Sequence, residues 1–522
     1  MAPGKVMLLA TALAVVIRLF TLTRPGYLTG ITEYDDGVYL GAALRMTEGA
    51  MPYKDFAFVQ PPGILLLMTP VALIAKLTTT VKALALARLL TALASAACVP
   101  LAGNLVRYRG TVVTLVTCGV LAVYPDDITT AHTLMLEPWM NLFCLLAINA
   151  AFRRGHLARP RRLIWAGLAL GFAGAIKFWA IAPAAVLLVL CVVVRQDRGR
   201  RVRAYLPALV AGFLVPVAAF LASAPMTFLR STITDQAART GSAVPVSVRL
   251  ANLTGVIDIL NTKGGISLNA GAHSMFAGGV SPDIAESSQL GWLPVVATVA
   301  LVAVIAVGYA WQSRRLSQLE WLALATTVLA VAAVIGYSAF FYHYADFPAP
   351  WLAITLGGAA GVLAGRPALR TIVIRSIAVA LLLVAALQIR ETFPLRQPTG
   401  QAIAHLIPRG ACVVTDEVSL TISADRFADL PPGCPDIIDA LAATLVLSSG
   451  VSVQGGAGQM PQVVAAWQSW LSKADYVWLS PAHGSKRRIP WTPALSAWFN
   501  QTFAPIGSYS SGTGQLYVRR NA

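Results

Sequence analysis

Lys5 to Leu22 reads KVMLLATALAVVIRLFTL, with a single charge, Arg18, inside the run. At 1.5 Å per residue a helix over this stretch is about 27 Å long, close to the roughly 30 Å hydrocarbon core of a bilayer. Similar runs recur over 84–106, 110–125, 134–152, 163–177, 178–195, 204–222, 291–311, 319–340, 349–365 and 371–389. Only 12% of the 522 residues are charged and 57% are hydrophobic. A soluble domain carries about 25% charged residues, so this chain lacks the polar surface for a water-facing shell. The sequence reads as a polytopic α-helical membrane protein of about eleven spans, counted by the length a span needs. No small-residue cleavage site follows the first run, which is therefore read as a retained helix.

The formal net charge is +17, yet the composition does not point to nucleic acid. The basic residues cluster in short loops between apolar runs: Arg107 and Arg109, Arg153 to Arg162, Arg195 to Arg203, and Arg314 with Arg315. That is the bias that orients helices and meets anionic headgroups, so membrane lipids are the partners it implies. A further apolar stretch, 63–80, either crosses or lies in the interface. Only the second choice puts every arginine cluster on the side of Lys5, so 63–80 is read as an interfacial or re-entrant helix. The expected topology is a plasma-membrane protein with a cytoplasmic N-terminus. Its outer stretches are 23–83, 126–133, 223–290, 341–348 and everything after about 390. Arginine-rich flanks on 163–195 require an even number of crossings there, with Lys177 near a turn on the outer side.

The last 130 residues change character, and 391–522 are read as a small extracytoplasmic α/β domain beside a membrane domain of 1–390. Ala411 to Thr415, Tyr476 to Leu479 and Leu516 to Val518 read as short strands, and 461–473 as an amphipathic helix. Trp467, Trp470, Trp478, Trp491 and Trp498 read as core residues or as faces for stacking carbohydrate. Cys98, Cys118, Cys144 and Cys191 sit inside apolar runs and read as packing residues. Cys412 and Cys434 lie 22 residues apart in the polar part, and pair as a disulfide if that part faces an oxidising compartment.

Chemistry concentrates in the first outer loop: Glu33-Tyr34-Asp35-Asp36-Gly37-Val38-Tyr39, then Pro52-Tyr53-Lys54-Asp55-Phe56, then Gln60-Pro61-Pro62-Gly63. Two adjacent carboxylates at the edge of a bilayer are partly dehydrated and repel each other. Both effects raise a carboxyl pKa toward the range of a general base. The competing reading is that Asp35 and Asp36 cap a helix lying on the membrane, with Val38, Leu40 and Leu44 toward lipid.

These motifs resemble those of the C superfamily of membrane glycosyltransferases (GT-C), closest to the protein O-mannosyltransferases and the lipid A aminoarabinose transferases. Leu136-Glu137-Pro138 resembles a Leu-acid-Pro motif after the second outer loop, and Gly171 to Phe178, GFAGAIKF, resembles a Gly-rich helix ending in lysine. The resemblance implies a transferase that takes a sugar from a polyprenyl-phosphate donor and passes it to a hydroxyl of an envelope glycan, lipid or protein. It also implies that Asp35 is the base of an inverting displacement, with Asp36 beside it. A lysine precedes the Pro-Pro pair in the aminoarabinose transferases, where this chain has Gln60. The stretch 223–290 is too short for the domain that protein O-mannosyltransferases carry there.

The remaining candidates have two readings each. Glu137 orders the acceptor or a metal, or starts a helix. Lys177, Arg88, Tyr39, Gln60 and His343 are the candidates to meet the donor phosphate or sugar. Against that, Lys177 snorkels, Arg88 anchors at the interface, and the tyrosines around His343 form an aromatic belt. Asp126 and Asp127, with His132, either hold a divalent ion or cap helices. No cofactor is fixed beyond that metal alternative. Two other functions compete: a lipid or sugar transporter, which needs polar residues at mid-membrane depth, and a non-catalytic scaffold.

Overall fold

In a computed structural model, each of the apolar runs carries a helix. The structure describes residues 2–238, 244, 246–255, 293–312, 315–337, 339–364, 367–428, 430–481, 488–510 and 512–520. Arg314 and most of the expected outer stretch 223–290 lie outside them.

The chain begins with α1 (Pro3–Leu22), α2 (Tyr34–Thr47), α3 (Gly63–Leu77) and α4 (Thr80–Val106). Next come α5 (Thr111–Val123), α6 (Pro125–Thr130), α7 (Leu136–Ala151), α8 (Pro160–Ile176), α9 (Ile181–Val193) and α10 (Arg198–Ser223). Then follow α11 (Leu293–Ala310), α12 (Gln318–Gly336), α13 (Ala349–Ala359) and α14 (Pro367–Thr392). Among the described residues, α1, α4, α10, α12 and α14 are long and apolar enough to cross a membrane. The helices in other expected spans are shorter. The run 349–365 divides at Ala360, and 178–195 opens with a 3-10 turn. Leu8, Val215, Val299 and Leu383 stay exposed on these helices. Apolar surface of that extent belongs against lipid rather than water.

Local chemistry explains where helices start and how closely they pack. Ser317 and Glu320 form a reciprocal capping box that opens α12, and the same glutamate pairs with Arg109. Helix α8 lies against α7 and α10. A Cβ on Gly171 would sit 2.2 Å from the backbone oxygen of Leu209, so the glycine-rich face is what lets α8 and α10 approach. The α8 ladder stops at Ile176, and Lys177 is extended (φ −152°, ψ 131°) before the chain turns into α9. This break sets Lys177 apart from both helices.

Helix α3 buries Ile64, Leu65, Met68 and Val71 against α2 and α4, and leaves Leu73, Ile74 and Leu77 exposed. On α2, the sequence puts Val38, Leu40 and Leu44 toward lipid. The structure buries all three to 3% exposure or less. The reason is that a later helix, α15 (Val418–Ser423), folds back onto α2 from the other side, and Val418, Ile422, Phe427 and Ile438 join the same apolar core.

The four-stranded sheet of the C-terminal part has the order β3-β4-β6-β5, after a two-stranded hairpin of β1 (Phe152–Arg153) and β2 (His156–Leu157) earlier in the chain. Its strands are β3 (Val413–Thr415), β4 (Tyr476–Leu479), β5 (Phe503–Ser510) and β6 (Gly514–Arg519). β3 pairs with β4 in parallel, with Val414 opposite Val477. β6 is antiparallel to both neighbours. Trp467, Val477, Phe499 and Phe503 fill the space under the sheet, against α16 (Ala440–Leu447), α17 (Pro461–Leu471) and α18 (Pro493–Thr502). Trp467 and Trp478 are wholly buried, while Trp470, Trp491 and Trp498 are partly so. A disulfide joins Cys412 to Cys434.

Candidate active site

Helix α2 brings its two acids to different places because consecutive residues on a helix lie about 100° apart. Glu33, not either aspartate, is the N-cap: its carboxylate accepts the Tyr34 N–H at 3.0 Å. Asp35 and Asp36 follow in the first turn, where carboxylates suit the helix dipole. At Gly37 the helix almost touches α15, since a Cβ there would lie 2.2 Å from the Ser419 nitrogen.

Asp36 points inward and is wholly buried. Its Oδ2 accepts from Arg88 Nη2 at 2.7 Å and its Oδ1 accepts the Leu134 N–H. Arg88 also donates to the carbonyls of Tyr27 (2.8 Å) and Gly30 (2.9 Å). This placement corrects two sequence expectations. Asp36 is spent on an arginine and a backbone N–H, so it is not a free base. Arg88 is enclosed by a carboxylate and two carbonyls, so it does not face a donor phosphate.

Asp35 points the other way and is partly open, its side chain 24% exposed. Its Oδ2 lies 3.4 Å from the Tyr39 hydroxyl, one helical turn on, and 4.0 Å from His343 Nε2. Burial pushes the Asp35 carboxyl above its ordinary range. His343 opposes that shift, Asp439 and Glu137 add to it, and Lys177 opposes it. Glu33 nearby is pushed up to about 8, by burial first and then by Asp35, although the Tyr342 hydroxyl donates to it at 3.0 Å.

Across from Asp35, Glu137 lies in the first turn of α7, wholly buried. Its Oε1 receives both the Lys177 ammonium and His343 Nδ1, the latter at 2.8 Å. The Lys177 ammonium also stands over the rings of Tyr344 (4.4 Å) and Trp179 (4.8 Å). Lys177 is thus enclosed by protein rather than extended to the surface. Four elements distant in sequence meet here: the start of α2, the start of α7, the break after α8, and the 342–346 turn. One oxygen of Glu137 orients a histidine whose other nitrogen faces Asp35.

The second acidic cluster does something else. Asp127 pairs with the buried Arg18 and accepts from Ser95 Oγ at 2.8 Å. Asp126 stands beside it in the first turn of α6. Burial, with Arg18 and Arg88, lowers the His132 pKa to about 3, so that imidazole is neutral. A guanidinium already occupies the place a divalent cation would take. Among the described residues no group of three or more His, Cys, Asp or Glu side chains has metal-holding geometry. The residues at 126, 127, 132 and 137 therefore do not fit a resident metal. Gln60 is partly buried, and its backbone oxygen accepts the Tyr53 hydroxyl.

Several polar residues escaped the sequence reading. Asp346, wholly buried, accepts from Thr130 (2.7 Å) and Asn141 (3.2 Å). Tyr34 donates to Asp439 at 2.6 Å, and Arg488 stacks over the Tyr34 ring at 4.0 Å while pairing with Glu417 at 2.7 Å. In the Tyr342 to Asp346 stretch the sequence marks His343 and its flanking tyrosines, not Asp346. Nothing local to Asp439 or Arg488 marks them, because their partner is some 400 residues away.

No family model matches the chain, and no curated protein matches it in sequence. Solved structures do resemble it. ArnT from Cupriavidus metallidurans bound to undecaprenyl phosphate is 15% identical, with a TM-score of 0.59 over 99% of this chain and 98% of that one. The apo form of the same protein gives 14% and 0.58, over 98% and 97%. The arabinofuranosyltransferase AftD from Mycobacteria gives 12% identity and a TM-score of 0.46, over 98% of this chain and 40% of that one, too loose a likeness to argue from. Over nearly its whole length the chain shares its fold with ArnT.

Proposed function

We propose that this protein transfers a sugar from a polyprenyl-phosphate donor to a hydroxyl of a cell-envelope glycan, lipid or protein, with inversion at the anomeric carbon. The observation that carries the reading is the meeting of Asp35 with the Glu137–Lys177–His343 group. Support also comes from the full-length likeness in fold to a protein solved with undecaprenyl phosphate bound.

Asp35 is the base. Its exposure leaves room for an acceptor hydroxyl, and its raised pKa brings its proton affinity closer to that of the group it must deprotonate. The acceptor oxygen gives its proton to Asp35 Oδ2 and attacks the anomeric carbon. The bond from that carbon to the phosphate oxygen breaks, and its electron pair leaves on the phosphate. The departing phosphate is a stable anion, so a single carboxylate suffices, unlike glycoside hydrolysis with its two. The Lys177 ammonium and a His343 ring nitrogen hold the phosphate. Glu137 keeps both in place and sets which imidazole nitrogen faces the donor. The first outer loop and the C-terminal sheet lie on the extracytoplasmic side, where the Cys412–Cys434 disulfide is stable.

The test is transfer by purified protein from a small panel of polyprenyl-phosphate sugars, comparing wild type with Asp35→Asn. Turnover of one donor by the wild type, lost in a variant of equal abundance and folding, supports the reading. Unchanged turnover in Asp35→Asn removes Asp35 as the base, and no turnover of any donor by the wild type removes the proposed donor class.

A further inference from the structure

The face opposite Asp35 carries a hollow of about 850 Å³ at the other ends of the same helices. It lies between the start of α1 and the end of α4, and beside the end of α7 and the β1–β2 hairpin. Asn104, Arg107, Tyr108, Arg153, Arg154 and Arg162 line it, and among the described residues no carboxylate does. Helix α7 runs from Glu137 to this hollow in 16 residues, so about 24 Å separate it from the candidate active site.

The arginines here are not equivalent. Arg162 is spent: its guanidinium donates to the carbonyls of Asn149 and Ala150, both at 3.0 Å, covering the negative end of α7. Arg109 next door is also spent, on Glu320 and Gln312. Among the described residues, no ion pair involves Arg107, Arg153 or Arg154, all of which are exposed. Charge bias alone needs only that such residues lie in a loop; it does not need them fixed around a concavity.

These are fixed. β1 and β2 are joined by the two-residue turn Arg154-Gly155, with φ of 47° and 84°. That turn favours Asn-Gly, and an arginine held at positive φ costs on the order of 1 kcal/mol. The hairpin is pinned on both sides. The Gly155 carbonyl accepts the Leu319 N–H at 3.1 Å, and the Leu157 N–H donates to Gln318 Oε1 at 2.7 Å. A Cβ on Gly155 would collide with the Tyr108 hydroxyl at 2.2 Å, so the hairpin seats directly on the turn that carries Arg107. A strained backbone thus holds two cations beside a third, over a hollow at the membrane face.

We propose that this hollow binds a phosphate-ester anion, with Arg107, Arg153 and Arg154 as its ligands. A headgroup of an anionic lipid in the adjoining leaflet and a soluble phosphate compound share that chemistry. Each basic residue near an anionic surface contributes about 5-fold in affinity, so removing three lowers it on the order of 100-fold.

The full chain in detergent micelles is offered phosphatidylglycerol or phosphatidylcholine, and retained lipid is read by native mass spectrometry. Inorganic pyrophosphate binding is read separately by calorimetry. The variants are Arg107→Gln/Arg153→Gln/Arg154→Gln and, as a charge-matched control outside the hollow, Arg195→Gln/Arg198→Gln/Arg200→Gln. Retention of phosphatidylglycerol but not phosphatidylcholine, lost only in the first variant, identifies a lipid. Pyrophosphate binding with the same dependence, and no lipid retained, identifies a soluble anion. Equal binding in both variants, or none in the wild type, overturns the proposal. Sugar transfer enters neither measurement.

Discussion

Replacing Arg88 with methionine separates two readings of a fully enclosed charge in the first half of the chain. Arg88 and Asp36 have no exposed side-chain surface, and the guanidinium supplies three hydrogen bonds of 2.7 to 2.9 Å. Removing one partner of a buried ion pair costs about 3–5 kcal/mol, because the other charge is stranded. The orphaned carbonyls of Tyr27 and Gly30 add about 1 kcal/mol each, so the loss is roughly 6 kcal/mol even though the Leu134 N–H still serves Asp36. With an unfolding entropy of roughly 2.1 cal/mol/K per residue, a chain of 522 residues shifts by about 1 °C per kcal/mol, so Arg88→Met melts about 6 °C below wild type. The assay is the loss of the monodisperse peak on size-exclusion chromatography after heating in detergent. Arg88→Met/Asp36→Leu should regain much of that loss, since the double variant strands no charge. A single variant that melts with the wild type yet transfers no sugar would refute the structural role and return Arg88 to the donor phosphate.

Asp35→Asn should lower transfer by about 10²- to 10⁴-fold, the usual worth of a general base, while melting stays within reach of the wild type because Asp35 is partly open. In the wild type, the rising limb of kcat/KM against pH should lie above the ordinary carboxylate range, following the upward shift of Asp35. Glu33, raised to about 8 in the folded protein, holds its proton more tightly there than when unfolded. Its stabilising contribution is complete below about pH 4.5 and is lost as pH rises through about 8. Glu33→Gln should flatten that decline in melting temperature between pH 5 and 8, and an unchanged slope would count against it. Reducing the Cys412–Cys434 disulfide, which closes a loop of 22 residues, should cost about 3 kcal/mol, read as a lower melting temperature with reductant than without.

Much of the fold is legible in one pass because bilayer length and charge bias act on every span separately. Arg18 and Lys177 stand out for the same reason, being charges where hydrocarbon is expected, whereas Glu137 is marked by its Leu-acid-Pro setting. Pairings are harder. Asp35 and Asp36 look equivalent as letters, and only the arrival of Arg88 on a neighbouring helix decides which one is consumed. Val38, Leu40 and Leu44 read as a lipid-facing stripe because hydropathy does not distinguish lipid from protein, and α15 supplies the protein from 380 residues later. The Arg154-Gly155 turn was hidden because its sequence lacks the asparagine that marks such turns. The strands at 413–415 and 476–479 were visible as short β-branched and aromatic runs. Their parallel pairing, with a crossover of some 60 residues, was not.

One oxygen of Asp439 serves both the Tyr34 hydroxyl and the Ala442 N–H that opens α16. The residue beside Asp35 and the first turn of a helix under the sheet are therefore latched through the same atom. A chimera that exchanges only the C-terminal portion for that of another protein would cut this latch unless Tyr34, Asp439 and Arg488 travel together. The part after residue 390 is thus not an interchangeable attachment. Substitutions that tune it will be felt at the start of α2, and its sequence and that of the first loop are expected to drift as a pair.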